Sequence, residues 1–143
     1  MSSITKTKYL IDTNIFGLSL TSYHPAINKF LNHLESVDYA VSCFVLAEIE
    51  VLKFSSAKEV ALELIIELQN QTIIWFDRQQ SQIFSFLKYE MNKRKINNRT
   101  VDWFIAAQCL DKDYTLVTAN RKDFDCIPNL KAKYYDQKNY RWY

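Results

Sequence analysis

Four acidic residues lie in parts of the sequence that are otherwise largely apolar, and their side chains are of a type that binds divalent cations. An unpaired buried carboxylate is costly, so it needs a cation or a proton beside it. Carboxylates grouped without His or Cys suit Mg²⁺ or Mn²⁺, which activate water and stabilise charge developing on phosphate oxygens. Once brought together by the fold, these residues predict a metal-assisted reaction at a phosphate group. They are Asp12, Glu48, Asp102 and Asp123.

Each acidic residue also has a purely structural explanation. Asp12 and Asn14 could form a side-chain turn at the end of a strand. Asp102 would be favoured at a helix N-terminus by the helix dipole, and Glu48 and Asp123 could be ordinary surface residues. The indication of a site therefore comes from the ordered set and not from any single position.

The composition predicts a single packed domain over residues 1–143. Of the 143 residues, 48% are hydrophobic and 15% are aromatic, which is enough for one core and argues against disorder. The net charge of +2 excludes a protein that wraps nucleic acid by charge alone. The sequence has one glycine and neither a G-x-x-x-x-G-K-[ST] nor a G-x-G-x-x-G motif, which excludes glycine-rich phosphate loops.

The cysteine pattern and the hydrophobic runs indicate a cytoplasmic protein that does not enter the membrane. Cys43, Cys109 and Cys126 are far apart and form no C-x-x-C pair, so we expect free thiols. The longest apolar runs, such as Phe104–Ala107, are too short to span a bilayer. The N-terminal residues also show no secretory signal.

Strands alternate with helices along the chain, which predicts a parallel sheet covered on both faces. Ligand sites in such sheets lie beyond the carboxyl ends of the strands, which places Asp12 and the 118–123 segment at one edge. The predicted strands are Lys8–Ile11, Tyr39–Val41, Thr72–Phe76, Tyr114–Thr118 and an edge strand at Lys133–Tyr135. The predicted helices are Ala26–Leu34, one capped by Ser42 that continues through Leu52, Ser56–Leu68, one from Asp77 or Ser81 to a break at Asn97 and Asn98, Val101–Leu110 capped by Thr100, and a turn or short helix at 120–125.

In their order and spacing, the four acidic segments resemble the motifs of the PIN-domain ribonucleases, and among these the VapC-type toxins of toxin–antitoxin systems. The resemblance covers almost the whole chain. It implies a three-layer α/β/α sandwich with a parallel sheet of four or five strands. The matching segments are Leu10–Asn14, Ser42–Glu48, Asn97–Ala107 and Leu116–Phe124.

The resemblance also implies which residues act. Asp12, Asp102 and Asp123 match metal ligands for one or two Mg²⁺ or Mn²⁺ ions, and Glu48 matches a catalytic residue that binds directly or through water. Either Asp123 or Asn120 would face the metal. Thr118, Asn120 and Asn14 would support the site. The implied reaction is hydrolysis of an RNA phosphodiester bond, leaving a 5′-phosphate and a 3′-hydroxyl.

Basic and aromatic residues near the motifs suggest how RNA would be held. Six basic residues could bind phosphates, although a solvated helix end explains part of the set equally well. Tyr89 could stack on an unpaired base, whereas Trp103 and Phe124 are expected in the core. The six basic residues are Lys93, Arg94, Lys95, Arg99, Arg121 and Lys122.

The resemblance implies three partners: an RNA substrate (transfer RNA or ribosomal RNA), a second copy of the chain in a homodimer, and a cognate antitoxin. The antitoxin would occupy an apolar groove built by the helices at 43–53 and 56–68. The apolar residues available for that groove are Phe44, Leu52, Phe54 and Leu64.

Three other functions remain to be weighed. A non-catalytic PIN-like module that binds RNA or protein is disfavoured because all four acidic positions are present. A DNA-cleaving nuclease of the wider fold is disfavoured by the short chain. A phosphoryl-accepting receiver domain needs an acidic pair after the first strand, where this chain has Asp12 alone.

Overall fold

The computed structural model describes residues 6–21, 23–96 and 100–143. Within them a six-stranded sheet has the strand order β3-β2-β1-β4-β5-β6. The first five strands are parallel along the sheet, and β6 is antiparallel to β5. The strands are β1 (Tyr9–Ile11), β2 (Tyr39–Ser42), β3 (Ile73–Ile74), β4 (Thr115–Thr118), β5 (Ala132–Asp136) and β6 (Arg141–Trp142).

Helices cover both faces of this sheet. The central strands β1 and β4 contribute Leu10, Ile11, Leu116 and Val117, all fully buried, so side chains that point to opposite faces are shielded from water. The predicted α/β/α architecture is therefore confirmed. The helices are α1 (Thr13–Thr21), α2 (Pro25–Asn32), α3 (Cys43–Leu52), α4 (Lys58–Leu68), α5 (Arg78–Lys93), α6 (Thr100–Lys112) and α7 (Arg121–Phe124), with a 3-10 helix at Ser36–Asp38.

Two predicted helix caps are present. The Ser42 hydroxyl accepts a hydrogen bond from the Phe44 backbone N–H at 3.1 Å and begins α3. The Asp77 carboxylate accepts from the Gln80 backbone N–H at 2.9 Å and begins α5. Each cap satisfies a backbone donor that has no partner inside its own helix.

The first strand ends at Asp12-Thr13-Asn14 as predicted, but no helix was predicted after it, and α1 begins directly at Thr13. The segment contains Gly17 and two threonines, which are weak helix formers, and its apolar residues show little helical periodicity. Burial of Ile15 and Phe16 in the core stabilises the helix instead. Tertiary packing has overridden the local sequence preference.

The strand predicted at Lys133–Tyr135 is present as β5, but its predicted position at the edge of the sheet is wrong. Tyr135 pairs with Trp142 of β6, which forms the true edge. A strand of two residues leaves no alternating pattern long enough to be recognised in a sequence. At the opposite edge, β3 spans only Ile73–Ile74, shorter than the predicted Thr72–Phe76, and Trp75 beyond it is exposed.

The region before α6 is only partly described. Thr100 is the first residue of α6 in the described part of the chain rather than a cap before it. Helix α5 ends at Lys93, ahead of the predicted break. That break, at Asn97 and Asn98, lies outside the described residues, as does Arg99.

The core lies on both faces of the sheet, and Trp103, Tyr135 and Phe124 are its largest fully buried side chains. The expected core positions of Trp103 and Phe124 are thus confirmed. All three cysteines are free thiols, as predicted. Within the described ranges, no helix has the length and apolar character needed to cross a membrane.

Candidate active site

Asp12 lies at the carboxyl end of β1, where the chain turns into α1. Its side chain is only 6% exposed. Oδ1 accepts a hydrogen bond from the Thr13 backbone N–H at 2.8 Å, and Oδ2 accepts one from the Thr118 hydroxyl at 2.8 Å. Residues of α1 and β4 therefore fix the orientation of this carboxylate from two sides.

Asn14 and Thr118 join the ends of β1 and β4. The Asn14 amide group donates to Asp12 Oδ2 at 3.3 Å, while its carbonyl oxygen accepts from the Ala119 backbone N–H at 3.0 Å. The Thr118 hydroxyl accepts from the Asn120 backbone N–H at 3.1 Å. The structure thus places all three predicted supporting residues, Asn14, Thr118 and Asn120, in one hydrogen-bonded network with Asp12.

Glu48 is connected to the same network through Thr13. The Thr13 hydroxyl donates to Glu48 Oε2 at 2.9 Å, although Glu48 lies on the exposed side of α3. This role of Thr13 was not predicted. Its place between Asp12 and Asn14 was visible in the sequence, but its contact with a residue 35 positions away follows only from the packing of α3.

The electrostatic environment of Asp12 is unfavourable for its charge. Burial raises the pKa of the Asp12 carboxyl most strongly, and the negative charge of Glu48 raises it further. Hydrogen bonds from Thr118, Thr13 and Asn14 lower the pKa but do not reverse the shift. A positive ion beside Asp12 would remove this penalty.

Asp102 and Asp123 are each partly buried near an end of a helix. Asp102 lies in the first turn of α6, where a negative charge is stabilised by the helix dipole. Asp123 lies in α7, and its backbone N–H donates to the Asn120 carbonyl at 3.0 Å. Asp123 therefore follows β4 closely, as the sequence predicted.

The chemistry of these side chains suits a hard divalent cation, since all the donors are oxygens. In the described residues, however, no three His, Cys, Asp or Glu side chains are grouped closely enough to hold a metal ion. Asp12 and Glu48 are connected through Thr13, which donates one hydrogen bond to each carboxylate. Metal ligation by Asp12, Asp102 and Asp123 stays a prediction.

The predicted RNA-binding residues at the end of α5 have different surroundings. Lys93 is exposed, with its Nζ 3.6 Å from Glu90 and 5.2 Å from the centre of the Tyr89 ring. Arg94 donates to the Cys126 carbonyl oxygen at 2.9 Å, which holds the end of α5 beside the segment that follows α7. Lys95 is exposed and has a φ of 57°.

Arg121 and Lys122 begin α7 and lie next to Asn120 and Asp123. Lys122 is exposed. The Arg121 guanidinium is 3.9 Å from Asp125 and lies over the rings of Tyr134 and Tyr143. Both cations are close in the chain to the predicted metal-site residues, and their contact with RNA stays a prediction.

The predicted apolar groove needs one correction. Leu64 is 2% exposed and packs in the core, so it is not available to a partner. It was included because helical spacing alone does not separate the inner face of α4 from its outer face. Phe44 packs against Phe76 and Phe104, whereas Phe54 is 89% exposed.

Replacing Thr118 by Val should raise the pKa of Asp12 further, because the variant loses the hydroxyl that donates to Oδ2. Thr118→Ser keeps the donor and is the matched control. The carboxyl titration, followed by NMR on protein with labelled aspartate, measures the effect. An unchanged Asp12 titration in Thr118→Val would show that this hydrogen bond does not stabilise the ionised form.

Known proteins are similar to this chain in sequence and in fold. The chain is 30% identical over 135 residues to Ribonuclease VapC2 of Rickettsia felis (strain ATCC VR-1525 / URRWXCal2), a match that covers 90% of this chain and 98% of that protein. No protein-family model matches the sequence.

Two solved structures show the likeness in three dimensions. A chain in the crystal structure of VapBC2 from Rickettsia felis, bound to a DNA fragment from their promoter, gives a TM-score of 0.78 at 28% identity and covers 91% of this chain and 100% of that chain. A chain of VapBC-1 from nontypeable Haemophilus influenzae gives 0.73 at 20% identity, covering 90% and 98%. With its parallel sheet, the acidic network at the carboxyl edge and a relative matched over nearly its full length, the chain belongs to the VapC family, whose members have the PIN-like fold.

Proposed function

We propose that this protein is a metal-dependent endoribonuclease, a VapC-type toxin that hydrolyses phosphodiester bonds in RNA. The observation that carries the proposal is Asp12, a buried carboxylate whose charge is unfavourable and whose two oxygens are nevertheless held in place by three neighbouring residues. Such preorganisation of a charged group at a sheet edge is typical of active sites. The curated relative from Rickettsia felis is itself named a ribonuclease.

In this proposal Asp12, Asp102 and Asp123 hold Mg²⁺ or Mn²⁺. When bound, the cation supplies charge neutralisation at the phosphate and activation of the attacking water. Thr118 and Asn14 keep Asp12 in a fixed orientation through their hydrogen bonds.

Glu48 has a different task because it is exposed. Its carboxylate is anchored by the Thr13 hydroxyl and still reaches solvent. It is therefore suited to orient a water molecule at the substrate phosphate or to accept its proton. The expected products are a 5′-phosphate and a 3′-hydroxyl.

The proposal is tested by incubating the purified protein with total cellular RNA in the presence of EDTA, Mg²⁺ or Mn²⁺. We expect discrete fragments that require a divalent cation and are absent with Asp102→Ala. Sequencing of the cut ends would identify the substrate, with transfer RNA and ribosomal RNA as the expected classes. RNA binding without cleavage under every condition would favour a binding module, and cleavage of DNA alone would favour a DNA nuclease.

We further propose a cognate antitoxin and a homodimer as partners. The similar Rickettsia felis structure is a VapBC2 complex. Apolar side chains at Val51, Phe54 and Ile66, exposed by 67%, 89% and 67%, give α3, α4 and the residues just after α3 a surface that a partner could cover. In the same RNA assay, the product of the neighbouring reading frame should inhibit cleavage, and light scattering should give the mass of a dimer.

A further inference from the structure

A cleft of about 370 Å³ lies between α7 and the turn that joins β5 to β6. One wall is formed by Asn120 and Asp123, and the other by the end of β5, Lys138 and Tyr143. Since β4 and β5 are parallel, their carboxyl ends meet at the same edge of the sheet as Asp12. The cleft therefore opens on the edge where ligands bind in folds of this type.

The cleft is connected to Asp12 by a short series of hydrogen bonds. The Asn120 backbone N–H, in the wall of the cleft, donates to the Thr118 hydroxyl at 3.1 Å. That hydroxyl donates to Asp12 at 2.8 Å. Two hydrogen bonds thus separate the cleft from the carboxylate that carries the proposed reaction.

An aromatic ring at the mouth of the cleft is held in position. Tyr143 is 54% exposed, yet its backbone N–H donates to the Tyr134 carbonyl at 2.9 Å. The Arg121 guanidinium carbon lies 4.8 Å from the centre of the Tyr143 ring and 5.2 Å from that of Tyr134. Cation–π contact orders both the arginine and the ring.

The cleft has charges of both signs, and two of its lysines can contact a phosphate. Arg121, Lys122 and Lys138 face two carboxylates, Asp123 and Asp136. The Asp136 carboxylate is engaged by its own turn, where it accepts from the Lys138 backbone N–H at 3.0 Å and the Asn139 side-chain amide at 2.7 Å. The Arg121 guanidinium is also 3.9 Å from Asp125, and the hydrogen bonds to Asp136 keep that carboxylate ionised, so the cations left to contact a phosphate are Lys122 and Lys138.

We infer that this cleft binds one unpaired nucleotide of the RNA, adjacent to the bond that is cut, and so contributes to the choice of cleavage site. The base stacks on the exposed part of the Tyr143 ring, and a flanking phosphate lies at Lys122 and Lys138. Stacking on an aromatic ring beside basic residues is how many proteins hold single-stranded nucleic acid. The inference rests on the proposed function, because it takes RNA as the ligand.

The test measures binding of a short fluorescein-labelled single-stranded RNA, by anisotropy, to protein made inactive by Asp102→Ala. Adding Tyr143→Leu should weaken the affinity about tenfold, as expected for loss of one stacked base, without changing the salt dependence. Tyr143→Phe keeps the ring and should bind like the parent. Lys138→Gln should instead reduce the salt slope by about one.

An unchanged affinity in Tyr143→Leu, or an equal loss in Tyr143→Phe, would overturn the inference. Melting temperatures separate binding from folding, since a merely structural ring would lower the melting temperature along with the affinity. If the wild-type protein cleaves RNA but Tyr143→Leu leaves the RNA affinity unchanged, nucleotide binding in the cleft is rejected and the proposed function stands. Tyr143-dependent binding by a protein that cuts no RNA would reject the nuclease and leave the cleft.

Discussion

Replacing Asp12 by Asn is expected to abolish metal-dependent RNA cleavage and, at the same time, to make the metal-free protein more stable. The rate should fall by about a hundredfold to a thousandfold or more, as when one preorganised electrostatic group is removed from an active site. Stability should rise because the ionised Asp12 is buried at 6% exposure beside Glu48, and an amide of the same shape carries no charge.

The pH dependence of this stability difference follows from the raised pKa of Asp12. Between the ordinary carboxyl pKa of about 3.9 and the higher folded value, the folded state holds a proton that the unfolded chain has released. The free energy of unfolding of the wild type therefore falls as the pH rises through this window. The advantage of Asp12→Asn should grow over the same window and then remain constant.

Thermal unfolding in EDTA, from acidic to neutral pH, measures the difference, which we expect to reach a few degrees at neutral pH. Adding Mg²⁺ should raise the melting temperature of the wild type and not that of Asp12→Asn, because only the wild type keeps the ligand. A variant that still cleaves RNA would remove Asp12 from the mechanism. If Asp12→Asn has a lower melting temperature than the wild type at neutral pH, the buried charge of Asp12 does not destabilise the folded protein.

The second large effect is expected for Trp103→Ala. Trp103 is fully buried in α6, next to Asp102, and Lys88 lies 5.0 Å from the centre of its ring. Truncating a buried Trp or Phe to Ala typically lowers the free energy of unfolding by about 3–5 kcal/mol, since apolar contacts are lost and a cavity remains. Urea denaturation of the metal-free protein should show this loss directly.

Trp103→Phe is the matched control. The indole Nε1 has no hydrogen-bond partner among the described residues, so its removal breaks no hydrogen bond in that part of the chain. A phenyl ring also fills most of the same volume, and the loss should be clearly smaller than for Ala. Equal losses in the two variants would mean that the size of the cavity does not determine the stability at this position.

The regular features of the fold were predictable because they follow local rules. The alternation of strands and helices, the caps at Ser42 and Asp77 and the core positions of Trp103 and Phe124 agree with the structure. Each depends on a short stretch of sequence: a periodic apolar pattern, a capping side chain, or an aromatic residue in an apolar helix.

Other features depend on contacts between distant segments and were missed. Helix α1 is formed by weak helix formers and is stabilised by burial. The edge strand β6 is too short to show a pattern, and Leu64 proved to face inward. At the site, the rule for parallel sheets predicted that Asp12 lies near Thr118 and Asn120, and the resemblance added Asn14.

The contact of Thr13 with Glu48 and the cleft beneath Tyr143 arise from tertiary packing and had no local signal. Each brings together residues from different segments of the chain. Thr13 meets Glu48 only after α3 has packed against the start of α1, and Tyr143 reaches the cleft only through the pairing of β6 with β5. Such neighbours become visible once the sheet order is known.

The pairing of β1 with β4 has a consequence for how the protein is made. Asp12 and Thr118 are 106 residues apart, and β1 also pairs with β2, which follows it much sooner in the chain. A chain emerging from the ribosome thus presents its first acidic residue long before Thr118 exists to orient it. The hydrogen-bonded site cannot assemble on a nascent chain until β4 has been translated, so the ribosome making a nuclease of this design would be spared its activity until then.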